Sequence, residues 1–431
     1  MAANEKTIYV YADWNNAPPV LMGRLFVSAN RGKELFSFEY SKDWIRSAGS
    51  GFVFDPDLHL YEGRQYVPDK PLFGVFSDSC PDRWGRLLMK RKEAILARDE
   101  NRKPRALTES DYLLGVYDET RLGALRFSLE ENGSFLSADK ELCAPPWTTL
   151  RTLESASLSF ESDDGDQEEK WLRQLLAPGS SLGGARPKAS VQAPDGSLWI
   201  AKFPSKNDEW NSGAWEIVVH DLAVKCGINA PPAKLETFSD TGSTFLIKRF
   251  DREGSRRVHF SSAMALLGKT DGDTDGVSYL DIAAFIKSNG ASPKQDLKEL
   301  WRRVVFNMAV SNTDDHLRNH GFLLAEHGWT LSPMYDVNPN IYGNALSLNV
   351  STDDSSVSFE LAVETAEYYD IGIREAKNIV ADIQKTVSET WRSLAADYGI
   401  GRNAVSRMEP AFEMEYKISQ GDQKTQQQFL S

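Results

Sequence analysis

Five polar residues in the last third of the chain have the types and spacing that phosphate chemistry needs. Asp314, Asp315, His316 and Asn319 lie in one short stretch, and Asp336 follows a predicted hairpin. A carboxylate can take the proton of an attacking hydroxyl group, and carboxylate and carboxamide oxygens are hard ligands that suit Mg²⁺. We therefore interpret Asp314 as a general base and Asn319 and Asp336 as magnesium ligands. Asp315 is interpreted as a turn or capping residue.

Apolar elements on both sides would hold this polar stretch in place. Residues 300–310 have helical periodicity, and 321–324 and 329–337 are predicted strands joined by a short turn. A loop between a buried helix and a buried hairpin can hold catalytic groups rigidly. Protein kinases place a catalytic Asp and a metal-binding Asn at the same interval as Asp314 and Asn319. The alternative is an ordinary polar turn, where Asp and Asn are common.

Upstream, a glycine-containing loop and a lysine on a strand follow the order of a kinase N-lobe. Gly183 and Gly184 would let backbone approach a phosphate, although the loop matches no standard phosphate-binding pattern. Lys202 ends a predicted strand, and Glu216 lies on the next predicted helix, where it is the candidate ion-pair partner of Lys202. The alternatives are a plain hairpin with a glycine-rich turn and a solvent-facing Glu216.

The order of predicted elements gives an α+β protein with three parts. Residues 1–130 are mainly short strands followed by two helices, 131–261 form the kinase-like N-lobe, and 262–431 form a helical C-lobe. The strand at 245–252 feeds a connector between the lobes, where backbone could meet adenine. The expected fold is two-lobed and protein-kinase-like, with an all-helical C-lobe.

Composition restricts the possible function classes. The 431 residues carry a formal net charge of −13, which argues against broad nucleic-acid binding by the whole surface. Three scattered cysteines predict neither a disulfide framework nor a zinc site, and with no visible signal or membrane span we expect a cytoplasmic protein. The acidic stretch at 271–276 resembles the start of a calcium loop, but Ile282 stands where its glutamate would be, so we interpret it as a mobile loop.

These motifs, taken in order, resemble the HipA family, whose members are bacterial serine/threonine kinases that act as toxins in type II toxin–antitoxin pairs. The resemblance extends over essentially the whole chain, since Pro81-Asp-Arg-Trp-Gly-Arg86 also looks like that family's N-terminal subdomain. The motifs that carry it are Ser181-Leu-Gly-Gly-Ala-Arg-Pro-Lys188, Ile200-Ala-Lys202-Phe-Pro, Lys248-Arg-Phe-Asp-Arg252, Thr313-Asp314-Asp-His316-Leu-Arg-Asn319 and Tyr335-Asp336-Val.

The resemblance implies ATP and Mg²⁺ as cofactors and assigns roles to matching positions. Asp314 would be the catalytic base, Asn319 and Asp336 the metal ligands, and Ser181 an inactivating autophosphorylation site, with Ser180 adjacent to it. The residues expected to contact ATP are Lys202, Ser181, Leu182, Gly183, Gly184, Ala185, Lys188, Lys248, Phe250 and His316. The loop departs from the best-known members at Gly183-Gly184 and Arg186-Pro187.

The resemblance also implies partners. The family pairs with a small DNA-binding antitoxin of the HipB type, and the acidic balance of this chain fits a toxin that leaves most DNA contact to that partner. Aminoacyl-tRNA synthetases are substrates within the family, and the sequence does not identify the protein substrate here. Two other functions fit the motifs: a kinase of lipid or small-molecule hydroxyls, and a non-catalytic corepressor of the antitoxin.

Overall fold

The computed structural model describes residues 5–14, 18–30, 33–47, 53–67, 69–139, 143–161, 175, 186–272 and 276–413. Ser181, Leu182, Gly183, Gly184 and Ala185 of the predicted phosphate loop therefore lie outside the described residues. None of the helices within the described ranges combines the length and apolar character that a membrane span requires.

An N-terminal segment contains an antiparallel sheet with strand order β4-β3-β2-β1-β5. Its strands are β1 (Lys6–Ala12), β2 (Val20–Asn30), β3 (Lys33–Tyr40), β4 (Gln65–Tyr66) and β5 (Leu125–Ser128). Alternate residues of β1, such as Ile8 and Val10, are fully buried beneath the helices, as expected of a sheet with one core face. The helices are α1 (Lys42–Ser47), α2 (Gly74–Ser77), α3 (Arg83–Asp99) and α4 (Glu109–Gly115).

A second antiparallel sheet forms the N-lobe, with strand order β6-β7-β9-β8. Its strands are β6 (Lys188–Gln192), β7 (Leu198–Lys202), β8 (Ala233–Ser239) and β9 (Gly242–Lys248). Leu150 and Leu153 of α5 (Leu150–Glu161) pack with one face of this sheet, and Ile217 of α6 (Ser212–Lys225) packs with the other. The short ribbon of β10 (Arg252–Glu253) and β11 (Arg256–Arg257) then leads towards the C-lobe.

The C-lobe is mainly helical and contains the largest hydrophobic core of the described residues. Its helices are α7 (Ala263–Leu266), α8 (Tyr279–Asn289), α9 (Pro293–Ala309), α10 (Phe359–Thr365), α11 (Ile373–Asp397) and α12 (Arg402–Met408). Trp301 of α9 and Trp391 of α11 are fully buried, and these tryptophans explain why both helices are fixed firmly in the lobe.

The C-lobe is not all-helical, which corrects one part of the sequence interpretation. The predicted hairpin forms as β13 (Gly321–Ala325) and β14 (Gly328–Leu331), and β13 also pairs with β12 (Phe260–Ser262). A two-stranded hairpin alone would leave a strand edge of unpaired backbone groups, which the segment before α7 covers. The loop between α9 and β13 is therefore held between a buried helix and a three-stranded sheet.

Candidate active site

Lys202, the last residue of β7, connects the two lobes. Its ammonium nitrogen Nζ lies 2.5 Å from Oε1 of Glu216 on α6 and 2.5 Å from Oδ1 of Asp336, which follows β14. The alternating geometry of β7 turns Lys202 to the same face as Ile200, and α6 crosses that face with Glu216 buried. The sequence-predicted partner of Lys202 is thus in contact with it, and a C-lobe carboxylate joins the pair.

Two carboxylates share this one ammonium. Burial opposes the charge of Lys202, but Asp336 and Glu216 outweigh it and raise the lysine pKa. Burial also opposes ionisation of Asp336, but Lys202, Lys188 and His316 lower its pKa to about 2. Burial raises the pKa of Glu216, although Lys202 opposes this shift. Asp336 is therefore ionised. Because it shares the single ammonium group of Lys202 with Glu216, the site keeps negative charge that another cation could balance.

The loop after α9 presents Asp314 to solvent while its neighbours are buried. Ser311 starts the loop with a positive φ of 50°, and its hydroxyl donates to the carbonyl of Ala411 at 3.0 Å. The side-chain amide of Asn319 donates to the backbone carbonyl of Asp314 at 3.2 Å. This hydrogen bond joins the predicted metal ligand to the predicted base. Asp314 is exposed and Asn319 is buried.

The carboxyl group of Asp314 has a raised pKa. Partial burial is the main cause, and the charges of Asp336 and Asp315 add to it, whereas His316 and Arg83 oppose it. A carboxylate whose proton affinity is raised is a better proton acceptor, provided that it remains ionised at the working pH. The electrostatics of Asp314 thus suit a general base.

Asp315 is not the simple turn or capping residue that the sequence suggested. Its Oδ2 atom accepts hydrogen bonds from the hydroxyl of Tyr279 at 2.7 Å, from Nδ2 of Asn307 at 2.6 Å and from Nε2 of His320 at 2.9 Å. The residue is buried, so these donors stand in for water. Asp315 therefore ties the loop to α8 and α9 and to the end of the loop at His320, which suits a positioning residue for its neighbour Asp314.

Asp336 and Asn319 fit a magnesium site. Within the described residues no hydrogen-bond donor reaches Oδ2 of Asp336 or the carboxamide oxygen of Asn319, so both hard oxygen atoms remain available to a ligand. The described part of the chain has no cluster of three or more His, Cys, Asp or Glu that could hold a metal ion. A site with few protein ligands suits Mg²⁺, which usually keeps several waters and binds substrate phosphates.

An apolar cleft opens beside Lys202 and Asp336. Lys248 and Phe250, both expected near ATP, line it. The sequence interpretation missed the other apolar lining residues, which are Leu122, Ile200, Ile247 and Tyr335. Ile200 could have been found, because it shares a strand face with Lys202, and Ile247 is its partner in register on β9. Nothing in the sequence indicated Leu122, which comes from the N-terminal segment.

Lys188 lies opposite Lys202 on the neighbouring strand, but its ammonium group has a different partner. The Nζ atom lies 3.0 Å from Oδ2 of Asp82 at the start of α3, and both side chains are buried. Lys188 still helps to lower the pKa of Asp336, so its charge reaches the site. His316 acts on Asp314 and Asp336 in the same way, and its buried Nδ1 has no hydrogen-bond partner among the described residues.

Arg186, just after the undescribed loop, is anchored by a bidentate ion pair. Its two terminal nitrogens lie 2.7 Å and 2.6 Å from the carboxylate oxygens of Asp208. Bidentate arginine–carboxylate contacts fix geometry as well as charge. From the sequence, Arg186 was only a position at which the loop differs from the best-known family members. In the structure it anchors the end of this loop to the segment before α6.

The connector between the lobes is fixed to the N-terminal segment by a buried charge network. Asp251 accepts hydrogen bonds from Arg249 at 2.6 Å and 2.9 Å, from Arg252 at 2.6 Å and from the backbone of Gly123 at 2.8 Å. Burial disfavours the charged form of Asp251, but the two arginines outweigh it and hold the pKa well below its usual value. This connector segment therefore binds the N-terminal segment and also lines the apolar cleft.

Comparison with known proteins supports the observed fold. The HipA protein of Shewanella oneidensis MR-1, solved with HipB and operator DNA, has the same fold, with a TM-score of 0.64, 16% identity and coverage of 94% of both chains. This match confirms the expected two-lobed, protein-kinase-like fold, apart from the small C-lobe sheet. Residues 180–391 match the family model of the HipA-like C-terminal domain.

Two curated relatives share parts of the sequence. The "Putative kinase Y4mE" of Sinorhizobium fredii is 24% identical over 254 residues, and a "Putative kinase" of Haemophilus influenzae is 30% identical over 123 residues. The chain spans about half (53%) of the first relative and about a third (36%) of the second. Together with the fold match, these similarities confirm the resemblance seen in the motifs: residues 180–391 are similar to the HipA-like C-terminal domain.

Proposed function

We propose that this protein is an ATP- and Mg²⁺-dependent protein serine/threonine kinase that acts as the toxin of a type II toxin–antitoxin pair. The observation that carries the proposal is the contact of Lys202 with both Glu216 and Asp336 at 2.5 Å, beside an apolar cleft. A lysine held by a helix glutamate and adjacent to a metal-binding aspartate is the arrangement that kinases use for the phosphates of ATP.

Each residue then has a defined task. Asp314 accepts the proton of the attacking hydroxyl, and Asn319 and Asp336 hold the metal. Bound Mg²⁺ would supply positive charge that offsets the charge on the transferred phosphoryl group. Lys202 contacts the phosphates, and the apolar cleft with Lys248 and Phe250 receives the adenine. Lys188 and His316 lie close enough to the site to lower the pKa of Asp336, and we propose that both also lie near the bound phosphates.

The toxin role rests on similarity. The Shewanella HipA structure contains HipB and operator DNA, which supports a small DNA-binding antitoxin of the HipB type as the partner. The net charge of −13 fits a protein that reaches DNA only indirectly, through that antitoxin. In this proposal the kinase acts in the cytoplasm and inhibits growth by phosphorylating a cellular protein, with aminoacyl-tRNA synthetases as the first candidates to test.

We also propose self-inactivation by phosphorylation of Ser181. A phosphate dianion at the start of a phosphate-binding loop would repel the triphosphate of ATP, so the modified loop could not return to its place over the nucleotide. The motif position supports Ser181, and Ser180 is its neighbour. The Ser181→Ala variant should therefore keep ATP binding after prolonged incubation with ATP, whereas the unmodified chain should lose it progressively.

The deciding experiment is incubation of the purified protein and a cell extract with labelled ATP and Mg²⁺, followed by phosphosite mapping. We expect label on serine or threonine of an extract protein and on Ser181, and none with Asp314→Asn. Label in the lipid or small-molecule fraction alone would show the alternative kinase class. A total absence of transfer, with intact antitoxin binding, would favour a non-catalytic corepressor.

A further inference from the structure

A second cleft of about 350 Å³ lies between the N-terminal segment and the C-lobe, next to the catalytic loop. It shares Leu122 and Tyr335 with the apolar cleft, so the two openings adjoin. Arg318 of the catalytic loop lines it, and so does Arg83, whose charge acts on Asp314. We call this space the acceptor cleft, because Arg318 on its lining belongs to the same loop as Asp314 and Lys202 is not part of its lining.

Most charged groups that line the acceptor cleft are neutralised by partners of their own. Lys70 pairs with Asp57 at 2.6 Å, and Arg86 forms a bidentate pair with Glu109. Two carboxylates on the lining, Asp78 and Asp82, are satisfied as well. Asp78 accepts hydrogen bonds from Ser261 and Ser262, and Asp82 pairs with Lys188. Among these groups only the charge of Asp78 lacks an ion-pair partner, because its hydrogen-bond donors are neutral.

The remaining charged groups on the lining leave an excess of positive charge. Arg83 and Arg318 each place one nitrogen 3.1 Å from the same atom, Oδ2 of Asp271. Lys269 also lines the cleft and has no carboxylate partner among the described residues. Three cations therefore face two carboxylates, Asp271 and Asp78, which leaves one positive charge without a counterion in the described part of the chain.

We infer that the acceptor cleft binds an acidic side chain of the protein substrate, close to the hydroxyl that is phosphorylated. The inference rests on the proposed function and specifies its substrate: serine or threonine in an acidic segment. Arginine suits this task because its planar guanidinium binds carboxylates in a defined geometry. Asp271 occupies the place of the substrate carboxylate, so an acidic substrate would compete with it or bind beside it.

The position of Arg83 explains why the cleft would prefer acidic to basic substrate segments. It belongs to the N-terminal segment, whereas Arg318 belongs to the loop that carries Asp314, and Asp271 joins the two. A substrate carboxylate held by Arg83 and Lys269 would place a neighbouring hydroxyl beside the base. A basic segment would meet the three cations and be repelled, since like charges close together disfavour binding.

The test measures binding and turnover separately. Fluorescence anisotropy compares a labelled peptide that has a central serine between glutamates with its glutamine counterpart, at low and high salt. We expect the acidic peptide to bind about tenfold more tightly at low salt, since each exposed ion pair contributes about two- to fivefold, and the difference to shrink as salt rises. Transfer of phosphate from ATP to the protein itself is assayed in parallel.

Matched variants should change the affinity for the acidic peptide in opposite directions. Arg83→Gln and Lys269→Gln should each weaken binding of the acidic peptide several-fold and leave the glutamine peptide unaffected. Asp271→Asn should strengthen binding of the acidic peptide, because it removes the internal competitor. Arg24→Gln is the control, since Arg24 pairs with Glu39 on the N-terminal sheet and is absent from the cleft lining. A general loss of structure would not produce an increase for one variant and a decrease for the others.

The outcomes separate the inference from the proposed function. Equal binding of the two peptides, including no binding of either, or unchanged binding in Arg83→Gln, would overturn the inference while self-phosphorylation could still establish a kinase. Preference for the acidic peptide without any phosphate transfer would support the cleft and contradict the kinase. Preference for a basic peptide would show that Asp78 and Asp82 dominate the cleft instead.

Discussion

The ammonium of Lys188 lies 3.0 Å from the carboxylate of Asp82, and both side chains are 1–2% exposed. The same carboxylate caps α3, where its Oδ1 atom accepts from the backbone of Gly85 at 2.7 Å. The indole of Trp84 donates to the carbonyl of Lys188 at 3.1 Å and closes the contact. The N-terminal segment thus fixes the strand that directly follows the predicted phosphate loop.

The first prediction concerns this buried ion pair. Asp82→Asn should lower the free energy of unfolding by about 3–5 kcal/mol, because it leaves the Lys188 charge buried without a counterion. Asparagine is also a good N-cap, so the start of α3 should be retained. Denaturant unfolding measures the change.

A double variant provides the check on that explanation. Asp82→Asn combined with Lys188→Met should recover most of the lost stability, since no charge is then left buried. Glu39→Gln is a control, because its pair with Arg24 is exposed and should contribute less than about 1 kcal/mol. Additive losses in the double variant would show that the two side chains are not coupled.

The second prediction distinguishes the two carboxylates to which we assign catalytic roles. Asp314→Asn should lower phosphate transfer by about 10²–10⁴-fold, the usual range for loss of a general base, with ATP affinity little changed. Asp336→Asn should weaken Mg²⁺-dependent ATP binding as well as the rate, because it removes a charged metal ligand. Calorimetry of ATP with and without Mg²⁺, together with transfer rates, distinguishes the two patterns.

The third prediction concerns Asp315. Asp315→Asn should destabilise the protein, because the buried donors of Tyr279, Asn307 and His320 lose their shared anionic acceptor. We expect a loss of about 2–4 kcal/mol, in the range for a broken buried network with a charged member. Asp314→Asn, one residue away and exposed, should leave the melting temperature nearly unchanged. Equal melting temperatures for the two variants would contradict this role.

The fourth prediction is a pH dependence from His259. Its ring stacks on Trp14 at 4.8 Å and on Phe54 at 5.7 Å, and neither ring nitrogen has a hydrogen-bond partner among the described residues. Burial alone lowers its pKa from 6.5 to about 3. Between these values the unfolded chain binds a proton that the folded protein does not, so stability falls as the pH falls.

The size of this effect can be measured by substitution. Well below pH 6.5, His259 should remove about 1.4 kcal/mol of stability per pH unit, down to about pH 3. His259→Phe should flatten this slope, whatever its effect on stability at neutral pH. Unfolding free energies at several pH values below neutrality test this, and an unchanged slope in the variant would show that other groups cause it.

Local sequence patterns predicted the parts of the site that depend on strand and helix periodicity. Lys202 at the end of a strand, Glu216 on the following helix and Asp336 after a hairpin lie together because their elements pack as a sheet, a crossing helix and a small second sheet. The helical pattern before the predicted catalytic loop continues to residue 310, whereas the helix ends at Ala309, because Ser311 adopts a left-handed backbone conformation that a serine in the sequence does not indicate.

Contacts between distant parts of the chain could not be predicted in the same way. Asp82 and Lys188 are 106 residues apart, and Leu122 reaches the apolar cleft from the N-terminal segment. The contacts of Asp315 include two donors from helices, Tyr279 and Asn307, as well as His320 of its own loop, so its sequence neighbours predicted only a turn. Strand β8 was also missed, since none of its residues is fully buried and its burial does not alternate regularly.

Asp336 adopts a left-handed backbone conformation, with φ of 59°. Among residues with side chains, Asn and Asp tolerate this conformation best, and glycine adopts it freely. The backbone conformation at this position is therefore compatible with Asn, Asp or Gly, whereas the proposed metal binding requires the carboxylate of Asp. If a lineage of this protein were to lose the proposed catalysis while keeping the fold, we expect position 336 to drift to Asn or Gly rather than to alanine or a branched residue.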